Sequence, residues 1–235
     1  PHPLTMPVHP HSLLRRAVLA CALTAAAPAL TLAQNAPAAP PEPMLLYCGI
    51  TMVRPMTEIA QLFEKQENVK ISIAQGGSED IYQSVAKGTV GDWYLPGEPS
   101  YFQGPERQKY FAERVLVGHN KMALMVLKGN PKHIKPDLKE LLRKDVVATI
   151  GNPDSGSVGK ESKRMLETVK LYDKVVRSAA FLAPDSRSIT NALKKGEADV
   201  SLNWRATAFF PDNIDKLEAI DLDKTVSPPQ PLMLL

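Results

Sequence analysis

From Met44 onward, apolar positions alternate between short continuous runs and longer stretches of helical spacing. Leu45-Leu46-Tyr47-Cys48 is a short run ending at Gly49 and predicts a strand. Val53, Met56, Ile59, Leu62 and Phe63 then recur mostly every three residues and predict a helix with one apolar face. Pro55 fits its first turn, where a missing N–H costs nothing. Val69 to Ala74 alternates as a strand, and Gly76-Gly77-Ser78 turns into a helix through Val85. Met122 to Leu127 and Val146 to Ile150 predict two more strands, closed by Gly129-Asn130-Pro131 and Gly151-Asn152-Pro153. Gly156-Ser157 precedes a helix through Val169, and Ser186 or Ser188 caps a helix that carries Ile189, Ala192 and Leu193 and stops at Gly196. Val200 to Trp204 reads as a buried strand. Strands alternating with helices predict an α/β fold with mainly parallel sheets.

The first 43 residues follow another pattern. Arg15 and Arg16 precede an alanine-rich apolar stretch from Ala17 to Leu32, broken by Pro28 and followed by Gln34. That order predicts a cleavable signal peptide over residues 1–33, cut near Ala33. A membrane anchor needs about 20 apolar residues without a proline break, so export and release is the reading taken. Arg15-Arg16 also fits a twin-arginine signal, and Val18-Leu19-Ala20-Cys21 loosely resembles a lipidation site, although the apolar run continues past Cys21. Residues 34–43 are alanine- and proline-rich and predict an extended leader. Cleavage leaves Cys48 as the single cysteine, which excludes an intramolecular disulfide.

Composition narrows the function classes. A chain of 235 residues buries one substantial core or two small ones. Its net charge of +3 is small and its lysines form no block, which argues against nucleic acid as a partner. There is no Gly-x-Ser-x-Gly elbow, no His-Glu-x-x-His helix and no Cys-x-x-Cys pair, so neither an enzyme, a metal site nor a cofactor is expected. A Ser78–His119 pair is the one nucleophile arrangement left open.

Thr51, Ser78, Ser157 and Ser186 each stand where a helix begins. A helix start offers unpaired backbone N–H groups and the positive end of a dipole, so it attracts anions. A hydroxyl there adds a rotatable donor. In a parallel α/β sheet such turns lie at the carboxyl ends of strands, where ligands bind. Capping alone also explains any single example, and residue pattern takes the argument only as far as a candidate anion site.

Longer stretches narrow the choice. Leu46-Tyr47-Cys48-Gly49-Ile50-Thr51 is followed by Glu58-Ile59-Ala60 and Phe63-Glu64, then by Gly76-Gly77-Ser78, Ala86-Lys87-Gly88 and Gly91-Asp92. Lys128-Gly129-Asn130-Pro131, Ile150-Gly151-Asn152-Pro153 with Gly159 and Leu166, Leu171-Tyr172-Asp173-Lys174-Val175 and Gly196-Glu197-Ala198-Asp199 come next. In this order, over Met44 to Leu235, the chain resembles the periplasmic molybdate-binding protein family, type II solute-binding proteins of ABC importers.

The resemblance implies a two-lobed fold with an oxyanion clamped between the lobes: lobe I over residues 44–119 and 219–235, lobe II over 120–218. It implies a monomer in the periplasm that binds a small inorganic oxyanion, molybdate- or tungstate-like, and hands it to a membrane ABC permease. The alternative is a sensor of the same fold that presents phosphate, arsenate or arsenite to a membrane histidine kinase. By position, the family's donors fall on Thr51, Ser78, the backbone at Val158, Ser186 and Trp204. The last is a departure, because the family carries a tyrosine there. Hydrogen bonds to a charged group contribute about 1.5–3 kcal/mol each and a micromolar complex needs about 8 kcal/mol, so four or five neutral donors suffice without a buried cation. Arg54, Arg187 and Arg205 follow the donor segments closely and are either surface charges or a guanidinium clamp. Glu79 is either a dipole partner or an inward acceptor for a protonated anion such as phosphate or arsenate. Cys48 is either a core residue or a ligand for a thiophilic anion. The family pattern continues past the position of Leu235, so a fragment with reduced stability and exposed apolar surface on lobe I is expected.

Overall fold

Parallel pairing starts with the first predicted strand. The computed structural model describes residues 41–88 and 90–235, so the expected signal peptide and most of the expected leader lie outside the described residues. Strand β1 (Met44–Gly49) runs beside β2 (Ile71–Gly76) and β3 (Trp93–Leu95), parallel to both. Helix α1 (Val53–Glu67) connects β1 to β2, and α2 (Ser78–Lys87) connects β2 to β3. A short helix α3 (Pro105–Gln108) leads to β4 (Val115–Asn120). The last strand, β10 (Gln230–Leu234), pairs antiparallel with β4, and Tyr94 and Leu235 exchange backbone hydrogen bonds of 2.9 and 3.0 Å. These bonds join β10 to β3 and give one sheet in the order β2-β1-β3-β10-β4.

The second sheet has the order β7-β6-β8-β5-β9, with β5 (Met122–Leu127), β6 (Ala148–Gly151), β7 (Leu182–Ala183), β8 (Val200–Trp204) and β9 (Leu217–Asp221). β5 runs against the other four, because it enters directly from β4 without a crossover helix. Helices α4 (Ser157–Thr168), α5 (Tyr172–Ser178) and α6 (Ser186–Lys195) make the crossovers. The two sheets with their helices form the two-lobed α/β fold. One expected boundary moves: β9 pairs with β5 through Asp221, so residues 219–221 lie in the second sheet rather than the first. The return crossing follows β9.

The main core belongs to the second sheet. β5 and β8 are buried along almost their whole length, and Leu124, Ile150, Leu166, Ile189, Leu193 and Leu202 pack into one cluster. Each such side chain contributes about 1.5–3 kcal/mol on burial. Around the first sheet two smaller clusters form, one of Leu46, Cys48, Met52 and Leu95, the other centred on Tyr94 and Tyr101. On α1 the apolar stripe is only partly covered: Ile59 and Leu62 are 52% and 59% exposed, while Ala60 is buried. Gly196 ends α6 in the left-handed conformation at φ 72°, which a residue without Cβ adopts freely.

Candidate ligand-binding site

The helices α1, α2, α4 and α6 all begin at the carboxyl ends of parallel strands, namely β1, β2, β6 and β7. Their hydroxyl residues do not cap them. The N-cap positions of α2 and α4 are Gly77 and Gly156, and that of α6 is Asp185, whose carboxylate accepts a 2.7 Å hydrogen bond from the Ser188 N–H. Ser78, Ser157 and Ser186 therefore occupy the first helical position, one residue past the cap. The expected capping role of Ser186 or Ser188 passes to Asp185, a stronger acceptor for the helix N-terminus because it carries charge.

Released from capping, these hydroxyls meet. Ser78, Ser157, Val158 and Ser186 line one cavity of about 10 Å³ with Ile50, Gly76, Gly77, Gly156, Pro184 and Asp185. Thr51 Oγ1 donates to Ser186 Oγ at 3.1 Å, a buried bond between the first and second halves of the molecule. Gly97, in the turn after β3, donates its N–H to Ser78 Oγ at 3.2 Å. Two glycines let the walls come this close. A Cβ on Gly97 would run into the Ser157 hydroxyl, and one on Gly77 into the Ser155 carbonyl. Asp185 is the one carboxylate in the lining, and capping holds its Oδ1 on Ser188.

Of the residues expected to donate, Thr51, Ser78, Val158 and Ser186 are brought together and Trp204 is not. Trp204 is fully buried in the core of the second sheet, outside the cavity lining, and its Nε1 has no hydrogen-bond partner among the described residues. Cys48 lies in the first-sheet core, where burial pushes its thiol up to about 12; it is a packing residue. Arg205 pairs with Asp221 at 2.8 Å and stacks on Phe209. Glu79 faces Lys160 at 2.7 Å instead of the cavity. Burial raises its pKa, but the hydrogen bonds from Lys160 and Gln83 outweigh that and hold it below the ordinary value. Arg54 and Arg187 line a second, larger cleft next to the first, with Arg54 3.5 Å from Asp212 and Arg187 bonded to Gln75 at 3.2 Å.

Sequence reasoning missed Gly97 and Lys160. Gly97 carries no side-chain signal and works through its N–H and its missing Cβ. Lys160 reads as one more surface lysine on α4, and only the approach of α2 gives it a partner. Among the described residues no cluster of three metal-ligating side chains occurs, and no helix is long and apolar enough to cross a membrane.

Comparison with known proteins bears on the fold and the family. The sulfate-binding protein of Synechococcus elongatus is 26% identical over 166 residues, 62% of this chain, and the chain spans about half the length of that relative. Among solved structures, the sulfate-binding protein SubI of Mycobacterium tuberculosis superposes with a TM-score of 0.69 at 16% identity, over 82% of this chain and 74% of the other. The periplasmic molybdate-binding protein of Azotobacter vinelandii gives a TM-score of 0.64 at 14% identity, over 82% and 84%. The sequence profile of bacterial extracellular solute-binding proteins, a family of binders rather than enzymes, matches residues 44–235. The chain belongs to that family, the bacterial extracellular solute-binding proteins.

Proposed function

We propose that this protein captures a tetrahedral oxyanion group in the periplasm, between its two sheets, and delivers it to the membrane permease of an ABC importer. The observation that carries this reading is the convergence of Ser78, Ser157 and Ser186 on one cavity, each at a helix N-terminus it does not cap, with Thr51 hydrogen-bonded to Ser186 beside them. Neutral donors, helix dipoles and a carboxylate tied up in capping suit a fully ionised anion.

A cavity of about 10 Å³ is near the room that one water needs, and a tetrahedral oxyanion is larger. Binding therefore parts the Thr51–Ser186 pair and trades a neutral hydrogen bond for charge-assisted ones. Opening and reclosing of the lobes follows, and the closed form is the signal a permease reads. Molybdate and tungstate are the ligands the sequence resemblance implies, and sulfate is the one named for the Synechococcus relative. The relatives are solute binders, and no observation favours the sensor-kinase alternative.

Isothermal titration of the purified protein with molybdate, tungstate, sulfate and phosphate tests the reading. One-site binding of at least one anion is expected. A folded protein that takes up none of them, and no organic phosphate ester either, would sink it.

A further inference from the structure

The larger cleft, of about 270 Å³, opens beside the hydroxyl cluster and shares Ile50 and Ser186 with it; Thr51 also lines it. Its volume lies near the lower end of small-molecule sites, about 300 Å³, and far exceeds the room that one water needs. An inorganic oxyanion seated among the hydroxyls makes no use of it.

The lining has a definite chemistry. Arg54, Arg187 and Lys194 set three cations against the single carboxylate of Asp212. Asp212 lies 3.5 Å from Arg54. Arg187 and Lys194 are hydrogen-bonded instead to neutral amides, Gln75 at 3.2 Å and Asn213 at 2.8 Å. Among the described residues neither has a carboxylate partner. Val53 and Phe210 add apolar wall. Positive charge without a counter-charge, in a concave and partly apolar cleft, is complementary to a second negative group on a short carbon body.

We propose that the ligand is an organic anion with two charged ends. Its tetrahedral oxyanion head sits among Thr51, Ser78, Ser157 and Ser186, and its carbon body ends in a carboxylate held in the adjoining cleft by Arg187 and Lys194. This rests on the reading of the hydroxyl cluster as an oxyanion site. Arg54, already opposed by Asp212, lines the same cleft.

The test compares three probes by isothermal titration: inorganic phosphate, methyl phosphate and phosphoglycolate, which adds one carboxylate to the methyl ester. Phosphoglycolate is expected to bind at least tenfold tighter than methyl phosphate. That ratio should collapse toward one in Lys194→Met and in Arg187→Gln, with cooperative thermal unfolding confirming that both variants fold. Inorganic phosphate or methyl phosphate binding as tightly as phosphoglycolate overturns the two-ended ligand and leaves the oxyanion site standing. A ratio that survives both substitutions also overturns it. If none of the three probes nor molybdate, tungstate or sulfate binds, the oxyanion reading itself fails, and this inference with it.

Discussion

Glu79 on α2 and Lys160 on α4 meet at 2.7 Å, and this ion pair ties a helix of the first sheet to a helix of the second. Lys160 also lies 4.0 Å from the centre of the Tyr101 ring, so one ammonium touches a carboxylate and an aromatic face at once. Glu79 follows Ser78 directly and Lys160 lies three residues after Ser157, so under the proposed closure of the lobes this pair would favour the closed arrangement. Both side chains are about a quarter exposed, which places the pair between a surface and a buried salt bridge. Glu79→Gln is expected to cost the closed form about 1 kcal/mol, a roughly fivefold loss of anion affinity. Titration calorimetry reads the affinity. An unchanged affinity would mean that the pair does not hold the closed form.

Two acids give opposite pH dependences. The pKa of Glu79 is held below its ordinary value, so its stabilisation is present at neutral pH and is lost as pH falls through the folded value. Glu98 is shifted the other way: burial raises it, and its hydrogen bonds from Ser100 only partly compensate. Its contribution is greatest at low pH and declines as pH rises from the ordinary carboxylate value through the raised one. Glu98→Gln should therefore raise Tm at pH 7 relative to its effect at pH 4, whereas Glu79→Gln should flatten the acid side of the profile. Thermal unfolding across this range, for both variants, checks the signs.

The hydroxyls and the cap separate binding from stability. Ser78→Ala and Ser157→Ala remove donors that cap nothing, so each should weaken anion binding roughly tenfold, from about 1.5 kcal/mol per bond. Ser157→Ala should change the Tm of the unliganded protein little, whereas Ser78→Ala also leaves the Gly97 N–H unpaired and should cost about 1–3 kcal/mol of stability. Asp185→Ala removes the cap of α6 and should cost about 1 kcal/mol of stability. Affinity and Tm measured on the same three variants distinguish the roles.

Trp204 tests where the site ends. Its burial in the second-sheet core predicts that Trp204→Ala costs about 3–5 kcal/mol of stability. Trp204→Phe removes an N–H that has no partner among the described residues and should leave anion affinity within about twofold. A tenfold loss of affinity in Trp204→Phe would return the indole to the site.

Cys48 should behave as a core thiol. With its pKa pushed up to about 12 by burial, it holds almost no thiolate at neutral pH. In a Cys21→Ser background, which leaves Cys48 as the single cysteine, a thiol reagent such as dithionitrobenzoate should label it only as fast as the protein unfolds. Rapid labelling of the folded protein, or protection by arsenite, would contradict this.

The fold was legible wherever period and length were strong. α1, α2, α4 and α6 begin where their hydroxyl or glycine signals put them, because those turns need small residues at close backbone approach. β3 has only three residues, too few for a period to register, and β9 carries Glu218 and Asp221 at the edge of its sheet. The antiparallel course of β5 depends on how the chain passes between sheets, which residue pattern does not encode. For the site, the four hydroxyls were visible as residues at helix starts. What the sequence hid was their freedom from capping, since the difference between a cap and the first helical residue is one position. The tryptophan looked like a donor by its place in the chain, but the alternation of β8 sends its side chain into the core cluster.

The central claim is the hydroxyl cluster, and a crystal structure with the tightest-binding anion of the titration panel tests it most directly. The account predicts the anion within hydrogen-bonding distance, about 2.7–3.2 Å, of Thr51, Ser78, Ser157 and Ser186, with the Thr51–Ser186 bond broken to admit it. An anion bound elsewhere, or one that leaves the Thr51–Ser186 bond intact at 3.1 Å, would contradict it.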